Sequence, residues 1–231
     1  MKIMAQPFDP ARAEVSKAFA RNFWFRRQPQ RLQEALSAAA IPIHAEAGKR
    51  LYDAGDDAYG LYGVMTGTVN IHVQMPDGEY ALANVVGPGM IFGYAGRLVG
   101  KRRLVSAVVR DEARLFYVTE ARIETIAQAQ PDLWLHFAEL ASEQLVAATR
   151  GMVTNARGTP GDRVAMYLSG MSGEAPEGSA PVRLTQEELA ELTGLSRKTV
   201  NRVLREMTEK GFIETGYGHV RVLKSAALTT T

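Results

Sequence analysis

LTQEELAELTGLSRKTVNRVLREM, residues 184–207, reads as two short helices meeting at a tight turn. Thr185-Gln186-Glu187-Glu188 has the Thr-x-x-Glu form of a capping box, in which hydroxyl and carboxylate each satisfy a backbone N–H that a helix start leaves without a partner. Leu189, Ala190 and Leu192 give this first helix an inward face. Gly194 lets the chain turn at positive φ, and Ser196 caps a second helix whose Val200, Val203, Leu204 and Met207 point inward. On the opposite side lie Arg197, Lys198, Asn201, Arg202 and Arg205, a long basic face that also bears an amide. Arginine can donate twice to guanine, asparagine can pair with adenine, and lysine or serine can hold phosphate, so these residue types suit base reading as well as backbone anchoring. The candidate DNA-contacting set is Thr185, Gln186, Ser196, Arg197, Lys198, Thr199, Asn201, Arg202 and Arg205.

Beyond the second helix, Lys210-Gly211 ends the element. Phe212-Ile213-Glu214 and Val220-Arg221-Val222 then flank the turn Thr215-Gly216-Tyr217-Gly218-His219, which predicts a two-stranded wing. His219 and Arg221 are placed either to touch phosphate or to sit on an ordinary exposed edge. The whole chain carries a net charge of only +2, but the charge is sorted by segment. Residues 184–194 hold three acids and no base, whereas 195–205 hold four bases and no acid.

Upstream, Gly158-Thr159-Pro160-Gly161 interrupts helical texture and marks a hinge, followed by a helix at 160–171 and the polar loop SGEAPEGSAP. Pro131 opens a long helical stretch to about Arg157. Within it Trp134, Ala138, Ala141, Leu145, Ala148 and Met152 alternate at spacings of four and three, the seam that two parallel helices bury together. Leu133, Phe137 and Leu140 form a second apolar stripe with which the helix can pack on its own domain.

Residues 10–40 are helical in texture, and PQRLQEALSAA reads as one amphipathic helix. Between Gly48 and Gly100 eleven glycines punctuate short segments. Val69, Ile71, Val73 and Met75 alternate with Asn70, His72 and Gln74, and Pro76-Asp77-Gly78 turns the chain into a partner strand at 80–86. Further strands are predicted at 104–110 and 113–118, which gives an antiparallel sandwich or roll.

Composition bounds the chemistry. With 46% hydrophobic and 23% charged residues over 231 positions, two cores are affordable. The absence of cysteine excludes disulfides, thiolate-bound haem, cysteine-ligated iron–sulfur clusters and cysteine nucleophiles. No run approaches a membrane span and MKIMAQPFDPARAE develops no signal-like apolar region, so a cytoplasmic location is expected. His44, His72 and His136 each stand alone, without the paired spacing that haem or zinc would need.

The order of parts from about residue 22 onward resembles the cyclic-AMP receptor protein and fumarate–nitrate regulator (Crp/Fnr) superfamily. The helix-turn-helix stretch above carries the resemblance, with LYDAGDDAYGLYGVMTGTVNI and the GPGMIFG segment in the matching order. It implies an α+β fold with three parts. These are N-terminal helices and a cyclic-nucleotide-binding-like β-roll (a double-stranded β-helix or jelly roll) over 1–130, a long dimerisation helix over 131–157, and a winged helix-turn-helix over 158–231.

The resemblance also exposes departures. In the family the recognition helix presents arginine, then glutamate, then a second arginine one turn on; here Arg197 and Arg202 match, but Lys198 replaces the acid. The implied effector pocket comprises Phe92, Gly93, Tyr94, Ala95, Arg102, Arg103, Ser106, Ala107, Ala148 and Thr149. Tyr94 stands where the family's ribose-binding glutamate follows glycine, and Val105 stands at the phosphate-binding arginine, leaving Arg102 or Arg103 as displaced substitutes. These changes argue against a cyclic nucleotide, and no cofactor is expected. The sequence therefore predicts a homodimeric transcription regulator on an inverted repeat of double-stranded DNA, with RNA polymerase as a further partner, and no enzymatic role. A cyclic-nucleotide-regulated channel fragment lacks its membrane span here, and a cupin-like enzyme lacks its spaced His/Glu ligands.

Overall fold

A computed structural model describes residues 10–57, 59–100, 102–172, 182–216 and 218–224. Most of the polar loop SGEAPEGSAP and Tyr217 of the wing turn lie outside the described residues. Three helices open the chain: α1 (Pro10–Phe19), α2 (Phe23–Arg27) and α3 (Gln30–Ala39). The predicted amphipathic helix is α3, which buries Leu32 and Leu36. These side chains join Phe19, Trp24 and Phe25 in a cluster that caps one side of the roll and includes Phe116 and Phe137.

The roll contains β1 (Ile41–Ala45), β2 (Arg50–Tyr52), β3 (Gly60–Gln74), β4 (Tyr80–Val86), β5 (Ile91–Phe92) and β6 (Ser106–Thr119). The sheet runs β1-β6-β3-β4, with β2 added to β6 and β5 to β3, and every pairing is antiparallel. Its spine is the β3–β6 pair, matched from Gly60 opposite Thr119 to His72 opposite Ser106 with register shifts between. Gly63 is required on this spine because a Cβ there would overlap the Phe116 ring.

The strands predicted at 104–110 and 113–118 are one continuous strand, β6. The polar residues that break the apolar pattern do not make a turn. Thr68 donates a hydrogen bond to Asp111 from the facing strand, and the register slips on either side of Thr68.

Helix α4 (Glu120–Ala129) leads into α5 (Leu133–Arg157), 25 residues long. α5 starts at Leu133 rather than Pro131, with Asp132 in the N-cap position. At its end the chain reverses at Gly158, where a Cβ would press on the Thr154 carbonyl at 2.6 Å. α6 (Pro160–Ser172) begins on Pro160, which has no N–H to leave unpaired in a first turn.

The C-terminal core is built from α6, α7 (Gln186–Thr193) and α8 (Arg197–Glu209) with a small sheet. That sheet is three-stranded, not two-stranded. β7 (Val182–Arg183) adds to β9 (His219–Val222), which pairs with β8 (Ile213–Gly216). Leu82 and Val85 of β4 belong to this same apolar cluster, so roll and C-terminal region pack directly on each other.

Phe116 is fully buried, with its ring 4.0 Å from that of Phe19. Phe116→Ala should therefore destabilise the roll by about 3–5 kcal/mol. A urea titration followed by tryptophan fluorescence should show the midpoint fall accordingly, and an unchanged midpoint would mean that this ring is not a core element.

Candidate DNA-reading face and effector cavity

The capping box at the start of α7 is complete. Thr185 Oγ1 accepts from the Glu188 N–H at 3.2 Å, and the Glu188 carboxylate accepts from the Thr185 N–H at 2.8 Å. Gly194 turns the chain at φ +63°, and Ser196 caps α8 by accepting from the Thr199 N–H at 3.1 Å. Val200, Val203, Leu204 and Met207 fill the core beneath. The predicted basic face is thereby turned outward: Arg197, Lys198, Arg202 and Arg205 are exposed and Asn201 is half-buried.

Two of these cations hold acids of their own domain. Arg197 reaches Glu187 at 3.0 Å and Arg202 reaches Glu206 at 2.6 Å, both between exposed side chains. Such pairs contribute little to stability, so they can exchange for nucleic-acid partners at small cost. Arg221 on the wing likewise pairs with Glu214 at 3.2 Å.

Thr185 and Gln186, expected at the DNA, sit beside a contact that sequence reasoning missed. Glu188 also pairs with Arg110 of β6 at 2.7 Å, both side chains largely buried, and Arg110 donates to the Arg183 carbonyl at 2.8 Å. The Leu82 N–H of β4 donates to Glu191 at 2.7 Å. The start of α7 is thus fastened to the roll. Arg110 lies 78 positions from Glu188, and no local pattern joins them.

Between the roll, α5 and α6 lies a cavity of about 650 Å³. Of the residues singled out from the sequence, Phe92, Gly93, Tyr94, Ala95, Arg103 and Ala148 line it. Four residues assigned to the pocket from sequence are not on its wall. Arg102 reaches outward to Asp57 at 3.3 Å. Ser106 turns its hydroxyl to the Ala54 N–H at 3.0 Å, and Ala107 is buried in the roll core. Thr149 donates to the Leu145 carbonyl of its own helix at 2.8 Å. Residues that the sequence did not single out, among them Asn84, Met90, Leu104, Asn155 and Tyr167, complete the wall.

Tyr94 is fully buried and donates to Gln144 of α5 at 3.0 Å, and burial raises the pKa of its phenol. Arg103 is 5% exposed and donates to the Gly93 and Gly60 carbonyls, with its guanidinium 3.9 Å from the Tyr52 ring centroid. Burial pushes the Tyr52 phenol up to about 12, against the opposing pull of Arg103.

On α5, Leu145 and Met152 of the predicted seam are exposed at 67% and 73%, and Ala138 and Ala148 are exposed as well. Ala141 packs partly on the roll cluster. Trp134 lies against the same cluster, with Arg97 over its ring at 4.7 Å. Among the described residues no three His, Asp or Glu side chains converge as a metal site needs, and no helix is long and apolar enough to cross a membrane. His44 pairs with Glu112 at 2.7 Å, and His136 lies near Asp132 and Glu139.

A β-roll with a cavity where it meets α5 and α6, packed on a winged helix-turn-helix with an exposed basic helix, defines a DNA-binding regulator. Comparison with known proteins gives the same class. Residues 42–130 match the cyclic nucleotide-binding domain family and residues 162–231 the Crp-like helix-turn-helix domain family. The chain is 31% identical over 193 residues to the CRP-like cAMP-activated global transcriptional regulator of Mycobacterium tuberculosis, covering 78% of this chain and 82% of that one. It is 25% identical to a solved CRP/FNR-family transcriptional regulator from Thermus thermophilus, with a TM-score of 0.59 and coverage of 83% and 99%. FixK2 from Bradyrhizobium japonicum shares the fold, with a TM-score of 0.69 at 20% identity and coverage of 82% and 95%. The chain belongs to the Crp/Fnr family of transcription regulators. Members of that family act as transcription regulators rather than enzymes.

The exposed face of α8 generates a test by selection from randomised DNA half-sites. Arg202→Ala should cost ~1–3 kcal/mol and relax preference at one base pair, whereas Arg205→Ala should weaken all sequences alike and lower the salt slope by about one unit. Lys198→Glu should shift the preferred half-site toward a cytosine-bearing pair, because glutamate accepts where lysine donates. Unchanged base preferences for both Arg202→Ala and Lys198→Glu would show that α8 does not read bases in this way.

Proposed function

We propose that the chain works as a homodimer on an inverted repeat, with 1–130 as sensor, 131–157 as dimerisation helix and 158–231 as DNA reader. The observation that carries this reading is the apolar second half of α5, where Leu145, Val146, Met152 and Val153 are each more than half exposed. A stripe of that length left in water is costly, and two parallel copies of α5 would bury it. Paired α5 helices would set two α8 helices about one DNA turn apart, roughly 34 Å, on successive major-groove faces. The Thr185, Gln186, Ser196 and Thr199 side chains at the starts of α7 and α8 are assigned to phosphates. RNA polymerase is the partner expected of the DNA-bound dimer, and the cytoplasm its location.

We further propose that the cavity holds the effector and that the effector is not a cyclic nucleotide. The Mycobacterium tuberculosis relative is described as cAMP-activated, yet the chemistry does not transfer. Here Gly93 is followed by Tyr94, bonded to Gln144 of α5, where the family's ribose acceptor would stand, and Val105 brings no charge for a cyclic phosphate. An occupant touching both the roll and α6 can act on the reader through the Arg110–Glu188 contact.

Leu145→Asp would place two carboxylates face to face in the dimer seam, so sedimentation should show monomers at micromolar concentration; a persistent dimer would refute the seam. Isothermal titration with cyclic AMP or cyclic GMP should give no saturable heat at micromolar ligand. Tight binding of one nucleotide per chain would overturn the effector reading.

A further inference from the structure

We propose that the cavity takes a small, mostly apolar molecule bearing a single carboxylate, held by the Arg103 guanidinium. This inference rests on the reading of the cavity as the effector site and gives the ligand a chemical class.

Arg103 is an anomaly in energetic terms. It is 5% exposed, yet among the described residues no carboxylate lies within ion-pair distance, and its Nε is buried without any hydrogen-bond partner. Ionised side chains are almost never buried in that condition, because desolvation of a charge is repaid only by a counter-charge or a full set of hydrogen bonds. The protein offers a partial cradle: two backbone carbonyls accept from Nη1, and the Tyr52 and Tyr62 rings lie 3.9 and 5.7 Å from the guanidinium carbon. The site is also shaped for the cation. Gly93 turns at φ +88°, and a Cβ there would sit 2.9 Å from Nη1. What the cradle lacks is an anion, and Arg103 lines the cavity.

The remainder of the wall determines the body of the ligand. Ile71, Val86, Met90, Leu104, Met152 and Met166 present hydrocarbon and thioether, and methionine adapts to irregular apolar shapes. A cavity of about 650 Å³ falls within the usual size of small-molecule sites. One guanidinium matches one negative charge, and a planar carboxylate can take two of its donors side by side, whereas a dianionic phosphate would keep an uncompensated charge among these residues. Asn155 adds one further demand. Its Oδ1 is buried without a donor while its Nδ2 serves Tyr167 and the Leu192 carbonyl, so a hydroxyl or N–H on the ligand would be accepted there.

The test uses the full-length protein with decanoate and phenylpropanoate, one linear and one aryl tail, each paired with the alcohol that lacks its charge. Calorimetry should show saturable binding of at least one acid, tighter than its alcohol by about ten-fold or more, the contribution of a charge-assisted contact. Arg103→Met, which keeps the bulk and removes the charge, should abolish that difference. The acid–alcohol comparison stands on the unmodified protein even if the variant does not fold. Acids that bind no better than their alcohols, or no binding by either acid up to millimolar concentration, would overturn the proposal. DNA affinity is measured in parallel. An acid that binds through Arg103 without changing DNA affinity supports the ligand class and removes the effector role. A DNA response to cyclic AMP alone would overturn the ligand class and keep the effector role.

Discussion

One helix carries the architecture. The 25 residues of α5 are hydrogen-bonded without a break, so the helix cannot yield at one place without losing backbone bonds there. Its first turns bury Leu133, Phe137 and Leu140 in the helical cap of the roll, its middle walls the cavity with Gln144 and Ala148, and Asn155 near its end bonds to both α6 and α7. One stiff element thus runs from the helical cap past the cavity to the base of the DNA-binding domain. The chain reverses only after that, at Gly158 and Pro160.

The second constraint is the fastening of the reader to the roll. Leu82 and Val85 contribute to the C-terminal apolar cluster, and Arg110 binds the glutamate that completes the α7 capping box. Glu188 thus has two tasks, satisfying backbone donors at its own helix start and holding a cation from another region. The pair is largely buried, where breaking one partner leaves the other uncompensated, so it ties the domains more firmly than an exposed pair would. By contrast, the ion pairs on α8 are exposed and exchangeable, as a surface that must change partners requires.

Within the roll, two side chains shape the cavity wall. Tyr94 bridges to α5 through Gln144, and Arg103 enters from two positions before Val105, its guanidinium set against aromatic faces and carbonyls. The effector site proposed above is thus mostly apolar, with Arg103 as the one charged side chain on its described wall. Selectivity in such a site comes from that charge and from the polar atoms left unpaired around it.

The sequence by itself determined the reading module, because its signals are local. A capping box, a glycine at positive φ and an apolar period of three to four residues are each set within one or two turns, and they place the faces of α7 and α8 without reference to the rest of the chain. The long helix, the β3–β4 hairpin and the antiparallel roll were legible for the same reason. Tertiary structure alone decided what depends on distant partners. Asp111 lies in an unbroken strand, bonded by Thr68 of the facing strand, and β7 joins the wing by pairing with β9. Thr149 and Ser106 carry the right groups for a pocket, but turn them to the chain's own backbone. Arg110 meets Glu188, and Arg97 lies over the Trp134 ring, through contacts between segments that share no sequence period. Burial without a counter-charge at Arg103 is likewise a property of three-dimensional surroundings, since nothing in Arg102-Arg103 tells which of the two arginines turns inward.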